Sequence, residues 1–287
     1  QQQESQPRTS FRDRNWFDVA WNIASADVSY LPTSNGVEFN LSTYALTASR
    51  RSLGFLGTPN RIDYGLERDL IWGDFASLGF DARGTKRWVV REKDLIHALV
   101  FGIQGYRGRN RARQGMGSTG DDPDFNFMRT PGVDDGSDYE LPNDQRSVFA
   151  QGIISLSPEL SITPGLRFEN ILTQASGTYY VAIQDGAGNV IEDSIFSSLK
   201  RNRRSFLLPG LGFSYMHNDF ELYGNAVSNY RAVNYSDIQI NNLGVQIDPS
   251  LTDEQGANFD LGFRLKTPHS FLTLVFSLSS IRIKLVF

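Results

Sequence analysis

The chain has 287 residues, with 28 Lys and Arg against 32 Asp and Glu, and it contains no cysteine. This length allows one or two ordinary domains, and the mild net charge of −4 does not favour a nucleic-acid partner. The lack of cysteine excludes a disulfide scaffold, a thiolate metal site and a thiol nucleophile. The glutamine-rich first residues show no signal peptide, and the longest apolar run, at 270–281, is too short for a transmembrane helix.

Polar and apolar residues alternate along most of the chain. Alternate residues of a strand point to opposite faces, so this alternation predicts β-strands rather than helices. In segment 258–266, Phe259, Leu261, Phe263 and Leu265 share one face, and the polar residues share the other. The pattern predicts about ten strands, at 15–31, 37–50, 66–82, 94–108, 145–156, 160–175, 203–217, 219–232, 257–266 and 270–285.

Short and long connections alternate between these strands. Most of the short ones are rich in Gly, Pro, Asn, Asp and Ser, as tight turns require. The long connections are predicted at about 51–65, 109–144, 176–202 and 233–256. Bacterial outer-membrane barrels have short periplasmic turns and long extracellular loops, and their strands need only ~9–11 residues to cross the bilayer. The sequence therefore predicts an all-β fold, an antiparallel up-and-down transmembrane β-barrel.

Three stretches of the chain resemble the barrel of TonB-dependent outer-membrane receptors, in particular the branch of the ferric citrate transporters. They read NWFDVAWNIA at 15–24, ITPGLRFEN at 162–170, and YGNAVSNYRAV at 223–233 followed by YSDI at 235–238. The resemblance spans nearly the whole chain and maps onto the middle of the family's barrel. It implies a barrel of about 22 strands, closed by an N-terminal plug domain and energised through TonB.

The resemblance also implies how much of the receptor this chain represents and what the receptor does. Residues 1–287 show about ten strands but neither a plug domain nor a TonB box, so we expect a partial barrel domain, a fragment of a larger receptor. The implied activity is uptake of a ferric chelate, such as a siderophore or ferric citrate, without bond chemistry. The implied partners are the anionic chelate, the TonB complex through the missing plug, and the lipid and lipopolysaccharide of a Gram-negative outer membrane. No cofactor is expected.

An arginine cluster is the candidate ligand site. Its members lie at the outer ends of two predicted strands: Arg50, Arg51, Arg107, Arg109, Arg111 and Arg113. Alternation places the last four on one face if the strand continues beyond its predicted end. An anionic ferric chelate needs such donors, because the planar guanidinium group binds a carboxylate through two hydrogen bonds. The other interpretation, a rim that is solvated or that contacts lipopolysaccharide, stays open.

The remaining polar residues favour neither catalysis nor metal binding. The acidic residues of the long loop lack the spacing of an EF-hand and are interpreted as solvated: Asp121, Asp122, Asp124, Asp134, Asp135 and Asp138. His97, His217 and His269 fall at the short-turn end of the predicted strands, away from an extracellular substrate. No catalytic residue and no metal ligand are predicted. A self-contained barrel acting as a surface protease, and a small porin or adhesin, remain the alternatives.

A second polar set is expected to line the lumen. Alternation places these residues opposite the apolar face of their strands: Arg167, Glu169, Glu221, Asn225, Arg231, Asp260 and Arg264. We expect them to hydrogen-bond to neighbouring side chains, to water or to the plug, and to be structural rather than ligand-binding.

Overall fold

The computed structural model describes residues 12–32, 36–55, 62–90, 95–232, 253–267 and 270–282. They form one antiparallel sheet of ten strands, in which each strand pairs with its neighbours in sequence order. The strands are β1 (Trp16–Tyr30), β2 (Glu38–Gly54), β3 (Arg68–Val90), β4 (Leu95–Gly117), β5 (Ser137–Ser155), β6 (Leu160–Gln184), β7 (Val190–His217), β8 (Phe220–Arg231), β9 (Glu254–Lys266) and β10 (Phe271–Arg282). Within this part of the chain, no helix is long and apolar enough to cross a membrane. The predicted all-β, up-and-down architecture is confirmed.

All the predicted strands are present, but several extend well beyond their predicted ends. β4 and β5 occupy both ends of the predicted loop 109–144 and leave a connection of only 118–136. The predicted loop 176–202 is wrong, because β6 and β7 continue through it to a tight turn at 185–189. Most of the predicted loop 233–256 lies outside the described residues.

Charge explains why the extensions of β4 and β5 escape the sequence pattern. Arg111 on β4 lies directly opposite Glu140 and diagonally beside Asp138 on β5, so this face is charged rather than apolar. The ladder continues because ion pairs across the strands, such as Arg111–Asp138 with an N–O distance of 2.6 Å, take the place of apolar contacts. The apolar alternation therefore marks only the part of each strand that faces lipid.

The two faces of the sheet differ in chemistry at mid-height. One register row of β2–β6 is apolar: Leu41, Ala82, Ile103, Val148 and Phe168. The adjacent row, one residue away on each strand, is polar: Ser42, Asp81, Gln104, Ser147 and Glu169. In a membrane barrel the apolar residues face lipid and the polar ones face the interior. We therefore call the first the outer face and the second the inner face.

The same alternation continues to the last strands. The register of β9 and β10 aligns Phe259, Leu261, Phe263 and Leu265 on the outer face with a matching apolar set: Leu278, Phe276, Leu274 and Leu272. All members of the predicted lumen-facing set lie on the inner face: Arg167, Glu169, Glu221, Asn225, Arg231, Asp260 and Arg264. Face assignment from period two is thus confirmed for these strands.

Buried side chains concentrate at the end of the sheet that carries the long connections. Tyr139, Leu141 and Ala175 form a buried cluster on the inner face of β5 and β6. On the outer face, Leu53 and Leu70 are buried where β2 and β3 meet the base of the connection 118–136. Most outer-face apolar residues at mid-height stay exposed, as expected of a surface that contacts lipid rather than a protein core.

Candidate functional site

The inner face carries a hydrogen-bonded network that spans β3 to β6. Arg83 donates to both carboxylate oxygens of Asp81, from Nε at 2.6 Å and from Nη2 at 2.8 Å. Gln104 on β4 also donates to Asp81. Oε1 of Gln104 accepts a hydrogen bond from Nη2 of Arg167 on β6 at 2.6 Å. Side-chain hydrogen bonds therefore connect β4 to β6, although β5 lies between them in the sheet.

Arg167 extends this network to β5. Its Nη2 donates to Oγ of Ser147 at 2.7 Å, and its Nε donates to Glu169. Glu169 accepts a further hydrogen bond from Nε2 of Gln145 at 3.2 Å. The Phe149 ring lies 5.6 Å from the guanidinium carbon of Arg167. Because Glu169 is only 5% exposed, these donors rather than water stabilise its charge.

A further ion pair lies on the inner face of β8 and β9. Arg264 donates from Nη1 to Oε2 of Glu221 at 2.8 Å, and Oε1 of Glu221 accepts from Ser214 at 2.9 Å. The guanidinium group of Arg264 also lies 4.3 Å from the ring centroid of Tyr223. Arg83, Arg167 and Arg264 on the inner face are therefore neutralised in place. Such a wall presents hydrogen-bonding groups but little fixed charge to a solute in the lumen.

The candidate arginines divide between the two faces. The register of β4 confirms that its four arginines share one face, and that face is the outer one. The outer face carries Arg51, Arg107, Arg109, Arg111 and Arg113. Arg50 lies on the inner face, in register with Gly73. The wall of the sheet thus separates Arg50 from the rest of the cluster, which the sequence alone does not reveal.

Two of the outer-face arginines form ion pairs with β5. Nε of Arg107 lies 2.9 Å from Oδ1 of Asp144. Arg111 makes two hydrogen bonds to Asp138, from Nε at 2.9 Å and from Nη2 at 2.6 Å. Arg109 lies between them on the strand, is exposed, and has no ion pair among the residues that the structure describes. Carboxylates of β5 therefore neutralise much of the positive charge of this arginine row.

Trp72 lies between the other two outer-face arginines. Its ring centroid is 4.0 Å from the guanidinium carbon of Arg51 and 4.4 Å from that of Arg113. The ring stacks on Phe127 at 6.1 Å, and Nε1 of Trp72 donates to Asp74 at 2.9 Å. Asp74 in turn pairs with Arg113 at 2.8 Å. The cation–π and ionic contacts join β2, β3 and β4 here, and the stack of Trp72 on Phe127 holds the connection 118–136 against β3.

Arg68, the first residue of β3, joins three segments at this end of the sheet. It is fully buried and donates to the carbonyl oxygens of Ser118, Asp122 and Arg14 at 2.9, 2.9 and 3.0 Å. Arg14 pairs with Asp63 at 2.6 Å and thereby attaches a further loop. These arginines carry no signal in the sequence, because each is isolated and lies outside any periodic pattern.

The acidic loop is only partly the solvated segment that the sequence predicts. The Oδ2 of Asp135 accepts the backbone N–H of Met116 at 2.8 Å. Asp134 accepts the backbone N–H of Thr130 at 3.0 Å, and this hydrogen bond lowers the pKa of its carboxyl group. The Asp121 side chain, by contrast, is 83% exposed. Among the described residues, no group of acidic or histidine side chains is arranged to hold a metal ion.

The two described histidines lie where the sequence predicts. His97 is near the start of β4 and stacks on Trp88, with ring centroids 5.5 Å apart. His217 ends β7, and its ring lies parallel to that of Tyr215 at 6.5 Å. Both are at the short-turn end of the sheet, whereas His269 lies outside the described residues. Neither described histidine is placed at the long-connection end, where the protease alternative needs one.

Three comparisons with known proteins bear on this sheet. The family model described as "TonB dependent receptor-like, beta-barrel" matches residues 2–284. A search of curated proteins finds no match. Solved structures with a similar fold include the unliganded ferric citrate transporter FecA, at 16% identity and a TM-score of 0.65 over 92% of this chain. They also include the ferric yersiniabactin uptake receptor FyuA from Yersinia pestis, at 14% identity and a TM-score of 0.69 over 93% of this chain.

The copper transporter OprC matches as well, at 12% identity and a TM-score of 0.69 over 92% of this chain. At these identities the likeness shows the fold alone. The chain spans 34%, 37% and 39% of the length of these three structures, respectively. Proteins of the matched family are transporters of the Gram-negative outer membrane rather than enzymes. On the strength of the family match, which covers almost every residue, this chain belongs to the TonB-dependent receptor β-barrel family.

Proposed function

We propose that this chain forms part of the barrel wall and extracellular rim of a TonB-dependent transporter that imports a ferric chelate across the outer membrane. The observation that carries the proposal is the family match over residues 2–284. The proposed partner that supplies energy is the TonB complex, which acts through the plug domain in this family. The anionic chelate is proposed to be captured at the long-connection end, where the extracellular side lies in barrels of this kind.

Three ion pairs of the inner face support a role in passage. Arg83 is paired with Asp81, Arg167 with Glu169, and Arg264 with Glu221. An unpaired arginine in a site of low dielectric constant would hold a carboxylate strongly, and a solute bound that way leaves slowly. Paired arginines leave a polar wall along which an anionic chelate can move without being trapped.

The substrate class is proposed from the similar structures together with the arginine content of the rim. The solved structures carry names that refer to ferric citrate, ferric yersiniabactin and copper. Ferric citrate is the specific candidate, because its carboxylates match guanidinium donors. Of the candidate residues, Arg50 lies on the inner face and is exposed, so it is the first to test as a contact. The five outer-face arginines stay a prediction as ligand contacts.

Uptake of radioactive iron by cells that carry the intact receptor tests the substrate class. We expect uptake of iron supplied as ferric citrate, and loss of that uptake when the receptor or TonB is deleted. Uptake that needs the receptor but works only with another ferric chelate would contradict the citrate assignment and keep the transporter. Iron uptake that is unchanged by deletion for every ferric chelate would contradict the ferric transporter itself.

Charge-reversed variants then locate the contact. Arg50→Glu is expected to weaken ferric citrate binding by roughly tenfold or more, because the variant loses one charge-assisted hydrogen bond to the ligand. The matched control is Arg51→Glu, one residue away but on the opposite face. Combined reversal of Arg107, Arg109 and Arg111 tests the row on β4, and unchanged affinity would remove that row from the ligand site.

A further inference from the structure

We propose that the upper part of β7 is a docking edge for an extended segment of an extracellular protein, which adds to the sheet as an antiparallel strand. The proposal goes beyond chelate transport, because it concerns a protein partner that binds outside the lumen. It rests on three features of β7. They are an unpaired strand edge, exposed apolar side chains along that edge, and cations without acidic partners at its base.

The first feature is that β7 continues far beyond the point at which its pairing with β8 stops. The ladder between β7 and β8 ends at Gly210 and Val227, whereas the ladder between β6 and β7 continues to Val190. β8 itself continues to Arg231, where it pairs with β9. One edge of β7 above Gly210 therefore has no partner strand among the described residues. Such an edge presents unbonded N–H and C=O groups to a further strand.

Side chains determine where the accessible part of this edge begins. Phe206 stacks on Tyr230, with ring centroids 3.6 Å apart. Arg204 pairs with Asp253, just before β9, at an N–O distance of 2.8 Å, and both side chains are largely buried. At this level side-chain contacts, rather than backbone hydrogen bonds, close the gap between β7 and β8. We call the stretch above it, residues 190–203, the free edge; it is roughly 45 Å of extended backbone.

The second feature is an apolar row that lies beyond the membrane. Three side chains on the outer face of the free edge are 69%, 54% and 67% exposed: Ile191, Ile195 and Leu199. Arg201 and Arg203 separate this row from Leu207, which is part of the lipid-facing surface on the same face of β7. The row is therefore on the side of the long connections, above the lipid. Apolar side chains on one face of a strand edge pack against those of an added strand.

The third feature is charge, which selects the kind of strand that fits. Lys200, Arg201 and Arg203 form no ion pair within the described parts of the chain, whereas the tip of the free edge carries Asp193. Residues directly opposite each other in an antiparallel pair share a face. The partner segment is thus expected to begin with acidic residues opposite the two arginines. Alternating apolar residues follow, and a basic residue faces Asp193.

Binding of synthetic peptides by the purified intact receptor tests the proposal. The probe has the sequence ESESVSTSVSKSV, whose first glutamate is placed opposite Arg203 and whose last valine is placed opposite Ile191. The control is a peptide of the same composition in scrambled order, without alternation. In fluorescence anisotropy we expect the probe to bind at least about tenfold more tightly, because its order alone matches the apolar and charged rows. Equal affinity for the two peptides, or binding of neither, would overturn the proposal.

Backbone methylation separates strand addition from simple attraction between side chains. The N–H groups of alternate residues in a strand point to opposite edges, so one alternate set of the probe faces β7 and the other faces solvent. Two probes, each N-methylated on one set, keep every side chain. We expect one of them to lose about tenfold or more in affinity and the other to bind as the unmodified probe does. Equal affinity of the two methylated probes would show that no ladder forms and would overturn the docking edge.

Variants of the receptor locate the bound probe. Ile195→Ser combined with Leu199→Ser is expected to weaken binding about tenfold or more, because two apolar contacts are lost. The matched control is Val133→Ser, an exposed apolar residue of the connection 118–136, which is expected to change nothing. The heat-dependent mobility shift of folded barrels confirms that each variant is folded. A folded double variant that binds the probe as tightly as the control would overturn the proposal.

A charge exchange tests the register. Arg201→Glu is expected to weaken the probe severalfold, because two carboxylates then lie opposite each other. A probe in which lysine replaces the second glutamate is expected to bind this variant better than it binds the unchanged receptor. A lysine probe that prefers the unchanged receptor would contradict the proposed pairing of this position with Arg201.

Hydrogen exchange distinguishes an accessible edge from one that another part of the receptor covers. In the intact receptor without peptide, we expect fast exchange at the alternate N–H groups of residues 190–203 that point away from β6. The probe is expected to slow this exchange by at least about tenfold, since the groups then donate to a partner strand. Slow exchange of both alternate sets before the probe is added would show that the receptor occupies its own edge, and would overturn the proposal.

Discussion

Arg68 donates two hydrogen bonds to Ser118, one from Nε to the backbone carbonyl at 2.9 Å and one from Nη2 to Oγ at 2.6 Å. The first residue of β3 is thereby fixed to the first residue after β4. Because Arg68 is fully buried, these acceptors replace the water that its charge loses. The contact determines where the connection 118–136 leaves the sheet.

Replacing Arg68 by lysine is expected to release that connection. The lysine ammonium is a single point and cannot reproduce the planar fork that reaches several carbonyls at once. We expect a local destabilisation of about 2 kcal/mol, or roughly thirtyfold faster cleavage within 118–136 by an external protease acting on intact cells. Arg109→Lys is the control, since Arg109 is exposed and has no ion pair in the described chain. Equal cleavage rates for both variants would contradict the anchoring role.

Arg167→Gln is expected to destabilise the barrel by leaving the buried Glu169 carboxylate without its charged partner. Removal of one member of a buried pair costs more than removal of both, so we expect a loss of about 2 kcal/mol. The double variant Arg167→Gln, Glu169→Gln is expected to recover most of that loss. Thermal unfolding of the intact receptor, followed by the heat-dependent mobility shift, measures both variants. A double variant less stable than the single one would argue against this pair being the cause.

Gly136 is expected to tolerate no side chain. Its φ is +53°, in the left-handed region, and an added Cβ would overlap the carbonyl group of Gln114. Gly136→Ala is therefore expected to displace the start of β5 and to lower the protease resistance of the long-connection end. Gly186→Ala is the matched control, because an added Cβ there meets nothing within 4 Å and the residue lies in an exposed turn. Similar protease resistance in the two variants would contradict this prediction.

The turn between β6 and β7 is expected to depend on pH. The Asp185 carboxylate accepts the backbone N–H groups of Ala187 at 2.9 Å and Asn189 at 2.8 Å, and the Asn189 side-chain amide at 2.9 Å. These hydrogen bonds, led by those from Asn189, lower the pKa of Asp185. A carboxylate with a lowered folded-state pKa stabilises the fold above its unfolded pKa of about 3.9. That contribution is lost as the pH falls through the folded-state value.

Hydrogen exchange in the turn, corrected with an unstructured peptide of the same sequence, checks the pH dependence. We expect protection of the backbone N–H groups of residues 187 and 189 at pH 6, and its progressive loss as the pH falls below about 3.9 and through the lower folded-state pKa. Asp185→Asn keeps an oxygen acceptor without a titratable proton, so its protection is expected to stay constant over this range. Identical pH profiles for the two chains would remove Asp185 as the titrating group.

The sequence could predict the membrane-facing part of each strand but not its full length. Period-two alternation is enforced only where one face meets lipid, so Ile103 and Val148 are found correctly and the ends of β4 and β5 are not. Beyond the lipid-facing part of β4 and β5, ion pairs such as Arg111–Asp138 replace apolar contacts. The charged strand ends therefore resemble loops in the sequence. The predicted loop 109–144 fails for this reason.

The sequence by itself determined the fold class, the order of the strands and the shared face of Arg107, Arg109, Arg111 and Arg113, because alternation is a local property of an extended backbone. Only the tertiary structure decided that this shared face is the outer face of the sheet. It placed Arg50 on the inner face and joined Arg68 to a connection that begins 50 residues later. Register between strands and the packing of connections depend on contacts between residues far apart in sequence, and no local pattern encodes them.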